Sequence, residues 1–452
     1  RFEFPFNSPK KDAKAAFSEV KSGLRQLSET TLLFLNNLRH IRWTIGDQEG
    51  AVFSKAHSGA HIEILKLADG KESLSSHWLR FSIPVDNINQ FSAPAEGVER
   101  QKVSVAFELS FVGDTKFFDA QAPLAKQLKI KPALKGKVSV FFPAEKETSG
   151  LRFHLHAPFI PELSRASIKN SPENAPLFGQ IARVAAGALH EIKELGLLTG
   201  EFLAVLPNND DPLPERYGAI RKAIIDEMKA QSLVPTYGGG FAPATRLLQA
   251  RAAMKVLLSD DDLVLVTERR DQPTWAIGAT QRNSNQDRFL SSLGLEEWDA
   301  QELKELLENR ARADAVWSLS VLDPAVKTWL SAKPVDWLQA LYALLYRHCE
   351  DSDDYGDLAE ASIVRLVDGT FGTAKDAYFQ TGPASSKDPL PRVDETIFTA
   401  GTKKVQQEDA RKFLYVLGVR VPGELEEITL LLKSRYGQEG DSPADAVYVA
   451  DL

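Results

Sequence analysis

Apolar residues recur at every second position between Arg42 and Val112, in segments separated by glycine, aspartate, asparagine and serine. Such alternation is typical of strands with one buried and one solvated face. These segments are RWTI, AVFSKA, HIEILKL, HWLRFSIPV and KVSVAFELSFV. Outside this range, RFEFPF at the start of the chain and the later KVSVFFP and LRFHLHAPF also read as strands. The pattern therefore predicts a mainly antiparallel sheet in the N-terminal part of the chain.

Helical periodicity appears on both sides of this sheet. Ser8 and Pro9 predict a helix start, and TTLLFLNNLRHI predicts a second helix just before the sheet. Residues 171–174, Ser-Pro-Glu-Asn, predict another helix start, with an apolar stripe that includes Leu177 and Ile192. The fold class we expect is mixed α/β, with the sheet first and helix-rich segments after it.

The second half of the chain alternates helical and extended patterns. YGAIRKAIIDEMKAQ and TRLLQARAAMKVLL predict helices, DLVLVT predicts a strand, and residues 296–345 are mainly helical in pattern. SIVRLVDGTFGT predicts a hairpin that turns at Asp368 and Gly369. QQEDARKFLYVLG and ELEEITLLLKSRYG predict helices that end at glycine. We find no internal repeat at a fixed period.

The length of 452 residues corresponds to about three domains. We predict a division into residues 1–7, the last strand of a preceding domain; 8–200, a sheet with helices; 201–310, a small α/β subdomain; and 311–452, a helix-rich α/β subdomain. The segment PNNDDPLPER from Pro207 is polar and interrupted by proline, which favours a boundary there. Because the chain starts at Arg1 within a strand pattern, we expect it to be a piece of a longer protein.

Charge and cysteine content narrow the function classes. The net charge is −8, so no global positive field attracts nucleic acid, which we do not expect as a partner. Local patches could arise only around Arg269 and Arg270, or around Arg310 and Arg312. The single cysteine, Cys349, excludes an internal disulfide framework and a multi-cysteine metal site.

The cysteine content and the hydropathy of the chain also indicate its cellular compartment. One cysteine fits a reducing environment, and the most apolar stretch, WLQALYALLY, is about half the length of a membrane-spanning helix. We therefore expect a cytoplasmic protein without a membrane partner.

Two histidine motifs are weak candidates for chemistry. His154 and His156 alternate on one strand and share a face, but no third ligand is spaced to complete a metal site, so we favour structural histidines. His190 and Glu191 lack the second histidine of a zinc-protease motif. We expect no metal in this chain, and we expect Cys349 to be a buried apolar side chain.

Three further segments could bind ions. The glycines of PTYGGGFAP, residues 238–240, could admit a phosphate, but the segment lacks the GK[ST] ending of a P-loop, so a plain connection is favoured. The acidic runs at residues 260–262 and 350–354 lack calcium-loop spacing, so solvated helix ends are favoured.

One segment carries a stronger signal: FFPAEKETSGLRFHLHAPFIPELSRASIKNSPENAPLFGQIARV, from Phe141 to Val184. It resembles the segment that follows the GHKL ATPase domain in sacsin-type proteins and, more distantly, in the ninety-kilodalton heat-shock chaperones. The resemblance lies in a strand that ends in FFP, an acidic turn that closes on Gly150, the L-S-R loop and the asparagine that opens a helix. RFEFPF and the stretch TAGTKKVQQEDARKFLYVLGVRVPGELEEITLLLKSRYG are similar to other parts of such proteins.

The resemblance implies roles for four residues. Arg165 would reach the γ-phosphate of ATP, Ser164 and Asn174 would support its loop, and Lys169 is the alternative cation. An arginine suits this task because its planar guanidinium can donate to two phosphate oxygens. From the residues alone, Arg165 could instead pair with a carboxylate such as Glu162 or cap a helix.

The resemblance also implies what lies outside the chain. ATP and Mg²⁺ would bind in an upstream ATPase domain, since the E-x-x-x-N-x-x-D helix, the D-x-G-x-G loop and a glycine-rich lid do not occur here. We therefore expect no cofactor in this chain alone and ATPase activity in the intact protein. The partners implied are that upstream domain, a protein client and a second copy in a homodimer.

Two other functions remain open from the sequence. One is a non-catalytic interaction scaffold of a bacterial multiprotein system, such as a defence system, in which Trp298, Trp317, Trp329 and Trp337 contact partners. Burial of these tryptophans in the core is favoured over that role. The other is a nucleic-acid remodeller or nuclease accessory, which salt-dependent DNA binding would reveal.

Overall fold

The structure is a computed structural model that describes residues 5–6, 9–35, 37–86, 101–115, 117–278, 284–311, 323–380, 390–423 and 428–429. The chain forms two compact units. The first contains residues Arg1–Leu247 and Ala276–Leu295, and the second contains Leu248–Trp275 and Glu296–Leu452. The segment from Pro207 thus lies within the first unit, whereas the division predicted from the sequence places boundaries after residues 200 and 310.

Both units contain helices and strands. The strands are β1 (His40–Ile45), β2 (Gln48–Ala56), β3 (His61–Ala68), β4 (Lys71–Pro84), β5 (Lys102–Phe111), β6 (Leu128–Lys131), β7 (Val138–Val140), β8 (Phe142–Pro143), β9 (His154–His156), β10 (Val234–Pro235), β11 (Phe241–Ala242), β12 (Leu247–Gln249), β13 (Thr274–Trp275), β14 (Glu296–Glu297), β15 (Val364–Arg365) and β16 (Phe371–Gly372). The helices are α1 (Ala13–Arg25), α2 (Leu124–Gln127), α3 (Ala175–Glu194), α4 (Gly200–Leu203), α5 (Gly218–Ala230), α6 (Ala252–Leu257), α7 (Asp260–Thr267), α8 (Asn285–Ser292), α9 (Ala300–Arg310), α10 (Pro324–Ser331), α11 (Val335–Ser352), α12 (Thr396–Thr399) and α13 (Lys404–Leu417).

The alternating segments form one large sheet in the first unit. Its strand order is β1-β2-β3-β4-β5-β9-β7-β8, and β6 also pairs with β5. All neighbours are antiparallel except β7 and β9. The predicted mixed α/β class, with a mostly antiparallel sheet followed by helices, is confirmed. The predicted first strand, RFEFPF, lies mostly outside the described residues.

The two faces of this sheet are buried differently. One face packs against α3, where Phe107, Leu155 and Ile181 belong to the same buried cluster. The other is covered by residues 32–34, which are Leu, Leu and Phe and which pack on the face that carries Trp78. TTLLFLNNLRHI is therefore not the predicted helix. It forms one 3₁₀ turn at Glu29–Thr31 and then an irregular segment, because burying three consecutive apolar residues under the sheet overrides their helical pattern.

The helix starts predicted at Ser8 and at Ser171 have different outcomes. Ser8 lies outside the described residues, and α1 is capped by the carboxylate of Asp12, which accepts hydrogen bonds from Lys14 N at 3.1 Å and Ala15 N at 3.2 Å. The side chain of Ser171 makes no capping bond to the 3₁₀ turn Pro172–Asn174 that leads into α3. The predicted helix start is therefore present here, but Ser171 does not cap it.

DLVLVT is a helix, not the predicted strand. Ser259 and Asp262 form a reciprocal capping box at the start of α7, and three aspartates occupy its first turn. These cap and dipole interactions outweigh the strand preference of the β-branched residues. The neighbouring TRLLQARAAMKVLL, predicted as one helix, is divided into strand β12 and helix α6.

Other predictions for the second half are confirmed. Helices α9, α10 and α11 cover much of residues 296–345, and β15 pairs with β16 around Asp368 and Gly369. Gly418 ends α13 with a φ of 111°. The predicted helix ELEEITLLLKSRYG lies outside the described residues except for positions 428–429. Within the described parts of the chain, no helix combines the length and the apolar character needed to cross a bilayer.

A helix, a hairpin and a helix followed by glycine occur in this order once in each compact unit. We name this pattern the glycine-hairpin module: it comprises α5, β10, β11 and α8 in the first unit and α11, β15, β16 and α13 in the second, and only in the second do the two helices pack extensively on each other. In the first hairpin Val234 pairs with Ala242, and in the second Val364 pairs with Gly372. Both turns contain a glycine with positive φ at the same place, Gly239 and Gly369, with φ of 84° and 81°.

The last helices of the two modules also correspond. Residues 289–294 are FLSSLG and residues 413–418 are FLYVLG, and their Phe and Leu side chains are buried. Gly294 and Gly418 both have positive φ after the helix. The number of residues that separates the two hairpins differs from the number that separates the two final helices, because the connecting segments differ in length. The recurring pattern therefore has no fixed period, and a search for a fixed period misses it.

Candidate functional site

The loop from Ile160 to Lys169, between β9 and α3, holds Ser164 and Arg165; we name it the Arg165 loop. Its two arms pair with each other: Pro161 and Ile168 form an antiparallel bridge, and Lys169 N donates to Ile160 O at 3.0 Å. Within these arms, Glu162 N donates to Ser167 O at 2.9 Å. The loop is therefore a closed hairpin-like projection.

Asn174 fastens both ends of this loop. Its side chain is buried, and its Oδ1 accepts from Ile160 N at 2.8 Å. Its Nδ2 donates to Ile160 O at 3.1 Å and to Lys169 O at 2.9 Å. One amide thus satisfies three backbone groups at the base of the loop, which a side chain without both a donor and an acceptor could not do.

Glu147 fastens the second arm from the other side. This carboxylate is buried, and its Oε2 accepts from Ile168 N at 3.2 Å. Its Oε1 accepts from Tyr217 Oη at 2.6 Å and from Arg216 Nη2 at 2.5 Å, which links the loop to the start of α5. Burial, together with the hydrogen bond to Glu147, raises the pKa of Tyr217 far above its usual range, so the phenol stays protonated as a donor.

The tip of the loop is exposed. Ser164 Oγ accepts from Ala166 N at 3.3 Å, and Arg165 N donates to Glu162 O at 2.8 Å. Arg165 has a φ of 56°, a conformation that costs an arginine about 1 kcal/mol or more. Such strain persists only where the surrounding structure imposes it, and here the base of the loop does so.

The Arg165 side chain is exposed and, among the residues the structure describes, makes no hydrogen bond or ion pair. The alternative pairing with the Glu162 carboxylate is not formed. Lys169 is also exposed, and its side chain likewise has no polar partner in the described part of the chain. The site therefore presents a cation on a fixed base, the arrangement that binds a phosphate with little reorganisation.

Sequence reasoning found three of these features and missed the fourth. Ser164 and Asn174 support the loop through the hydrogen bonds described above, and Arg165 lies at its tip. Glu147 was missed because it belongs to the turn AEKETSG, in which nothing in the pattern distinguishes it from Glu145. Only the fold reveals that one of these acids is buried.

His154 and His156 are structural. The ring of His154 packs edge-on against Trp78, and that of His156 stacks on Phe34. Burial lowers the pKa of each to about 4, so both rings are neutral at pH 7. Over the described ranges no group of three or more His, Cys, Asp or Glu residues is placed to hold a metal ion.

The glycine segment at residues 238–240 is a hairpin turn. Thr236 N donates to Gly240 O at 3.1 Å and Gly239 N donates to Thr236 O at 3.3 Å, so backbone groups of the turn bond to each other. The plain connection favoured from the sequence is what the structure contains. Its counterpart in the second module is the turn at Gly369.

The acidic runs and the cysteine considered as candidate sites lie in the second unit, where two of the carboxylates pair with neighbouring side chains. The Asp262 carboxylate accepts from Trp329 Nε1 at 2.7 Å and from Lys333 Nζ at 2.5 Å. In the run at residues 350–354, Asp354 pairs with the buried Lys304 at 2.6 Å. Cys349 is buried, and burial raises its pKa to about 11, as expected of an inert apolar side chain.

The structure also shows the surroundings of most arginines and tryptophans that were considered for partner binding. Arg269 pairs with Asp271, and Arg310 pairs with Asp323. Arg312 and Trp317 lie outside the described residues. The remaining tryptophans belong to the core of the second unit: Trp298 and Trp329 are buried, and Trp337 is partly buried against them. These side chains are therefore not exposed partner contacts.

Comparison of the chain with protein-family models, with curated proteins and with solved structures found no match.

Proposed function

We propose that this chain is the transducer region of a sacsin-like GHKL ATPase. In this proposal ATP and Mg²⁺ bind in an upstream domain, and Arg165 engages the γ-phosphate. One observation carries the proposal: an exposed arginine without a partner among the described residues stands on a loop whose base is fixed by two buried side chains, Asn174 and Glu147. The resemblance of residues 141–184 to the segment after a GHKL domain supplies the rest.

The physical chemistry of phosphoryl transfer supports this role. Such reactions depend on positioning and on neutralising charge at the transferred group, and an arginine supplied from another domain can raise the rate by about 10³- to 10⁵-fold. A rigid base matters because a mobile loop would lose conformational entropy when Arg165 binds the phosphate, and this loss would weaken the contact. Docking of the Arg165 loop on the nucleotide would also couple ATP binding to movement of this chain.

The test is steady-state ATP hydrolysis by the intact protein, including the upstream domain. Arg165→Ala should lower kcat by about 10³-fold or more with nearly unchanged ATP affinity, since the contact forms chiefly in the transition state. The matched control is Arg183→Ala, which removes an exposed arginine from α3 whose partner is Asp86.

Two results would contradict the assignment. Unchanged turnover in Arg165→Ala would make Arg165 a surface residue, and a selective loss in Lys169→Ala would transfer the role to Lys169. We further propose a cytoplasmic location, a protein client and assembly as a homodimer. The mass of the intact protein in solution would test the homodimer.

A further inference from the structure

The two edges of the large sheet differ in how they are protected. The β8 edge is only two residues long, and one of them, Pro143, has no backbone N–H. The β1 edge is six residues long, and its pairing with β2 runs without irregularity from His40 with Phe53 to Ile45 with Gln48. No described strand pairs with the outer side of β1. Short strands, proline, bulges and charged side chains are the usual protection of an edge, and of these β1 has only one charged side chain, Arg42.

The register shows which backbone groups of β1 are open. Ser54 N donates to Arg39 O at 2.8 Å, so this pair is hydrogen-bonded. Hydrogen-bonded pairs alternate along an antiparallel ladder, so residues 41, 43 and 45 bond to β2. His40, Arg42 and Thr44 therefore direct their N–H and C=O groups away from β2. A further strand could accept and donate hydrogen bonds at these three residues.

A groove of about 600 Å³ lies beside this edge, on the face that carries the His40 and Arg42 side chains. Its floor is apolar, with Ala51, Phe53 and Leu67. Its rim holds two guanidinium groups and one carboxylate: Arg42 pairs with Glu49 at 2.6 Å, and Arg39 has no side-chain partner among the described residues. The rim therefore has an excess of positive charge.

We propose that β1 binds an extended acidic peptide of a partner protein, which adds to the sheet as a further strand. Backbone hydrogen bonds to residues 40, 42 and 44 would give affinity, and alternate side chains would give specificity. Apolar side chains of the peptide would occupy the groove, and acidic ones would pair with Arg39 and Arg42. This role is independent of the nucleotide proposal.

Charge disfavours a second copy of this chain as the occupant. Two-fold pairing of β1 with itself, centred on its middle outward residue, would place Arg42 directly opposite the Arg42 of the other copy. Like charges directly opposite each other destabilise a strand pair. A strand of opposite charge has no such penalty.

The test uses the full chain and a fluorescent peptide of eight residues, Thr-Val-Thr-Glu-Thr-Val-Thr-Glu, in which valine and glutamate take turns on one face of the strand. Anisotropy should show saturable binding, and Arg42→Glu should weaken it by about tenfold. Replacing glutamate by lysine in the peptide should have a similar effect. Lys222→Glu, a charge reversal on the exposed face of α5, is the matched control and should leave binding unchanged.

Two further experiments test addition to the edge. Thr44→Pro removes an outward N–H, a change that an edge strand tolerates, and it should abolish binding without lowering the unfolding midpoint. Because that variant could disturb β1, a peptide N-methylated at alternate residues tests the same hydrogen bonds in the unaltered chain, and it should not bind. Absence of saturable binding at millimolar peptide, equal binding of the lysine peptide or full binding of the methylated peptide would overturn the proposal. A dimer that Thr44→Pro dissociates would assign the edge to a second copy instead.

Discussion

The Arg165 loop and the turn at residues 238–240 are both candidate phosphate sites by sequence, and the first unit supports them in different ways. Side chains from outside the loop, Asn174 and Glu147, hold the Arg165 loop, which leaves its cation exposed. The glycine turn is closed by its own backbone. The same turn geometry recurs at Gly369 with a different sequence. Anchoring by buried side chains thus distinguishes the two segments, and glycine content alone indicates only a turn.

Acid should most strongly separate the neighbourhood of the Arg165 loop from the glycine hairpin of the second unit, formed by β15 and β16. His154 and His156 lie on β9, which leads into the Arg165 loop, and burial lowers the pKa of each to about 4. Between that value and the usual 6.5, the unfolded state binds more protons than the folded state, so stability falls as the pH falls. We expect a loss of about 2 kcal/mol per histidine at pH 5 relative to pH 7.5.

Urea unfolding at pH 7.5 and pH 5, with hydrogen exchange to locate the change, measures this effect. Protection should fall around β9 in the first unit more than at the hairpin of β15 and β16. Equal stability at the two pH values would show that the buried histidines do not resist protonation.

Asn174→Ala should have the next largest effect. It leaves three backbone groups at the base of the Arg165 loop without their partner, and we expect a loss of about 3 kcal/mol in the free energy of unfolding. Hydrogen exchange should rise across residues 160–169. Wild-type protection of that segment in the variant would mean that Asn174 does not anchor the loop.

The glycine turns should show smaller and equal effects. Gly239→Ala and Gly369→Ala each place a side chain at positive φ, where no atom lies within 4 Å of the added Cβ, so only backbone strain remains. We expect a cost of about 1 kcal/mol for each, measured by thermal or urea unfolding. Gly187→Ala in α3, also without a neighbour within 4 Å, is the matched control and should instead stabilise by a few tenths to about 1 kcal/mol. Unequal costs would contradict the equivalence of the two turns.

Arg165 itself should have the smallest effect on stability. Its side chain has no polar partner in the described residues, so Arg165→Ala should change the free energy of unfolding by less than about 0.5 kcal/mol. Arg165→Gly should stabilise the chain slightly, because glycine adopts a φ of 56° without strain. A clear destabilisation by Arg165→Gly would indicate a structural role for this arginine.

The strands of the sheet could be predicted because alternation reflects one-sided burial directly. The structures of residues 32–34 and of α7 could not be predicted. Burial of three consecutive residues overrode the helical pattern of residues 32–34, and a capping box overrode the strand preference of α7. Arg165, Ser164 and Asn174 were accessible through a motif. Glu147 was not, because the burial of one acid in a polar turn depends on Tyr217 and Arg216, far away in sequence. The glycine-hairpin module could not be recognised as a repeat in the sequence, because its connecting segments differ in length.

The most direct test of the γ-phosphate role compares binding of ADP with binding of ADP plus vanadate to the intact protein. The trigonal vanadate mimics the phosphoryl group in transfer, so a residue that acts in the transition state stabilises that complex selectively. We predict that Arg165→Ala weakens ADP–vanadate binding by about the same factor as it lowers kcat, while ADP affinity is unchanged. Equal ADP–vanadate affinity in the wild type and in Arg165→Ala would contradict the account.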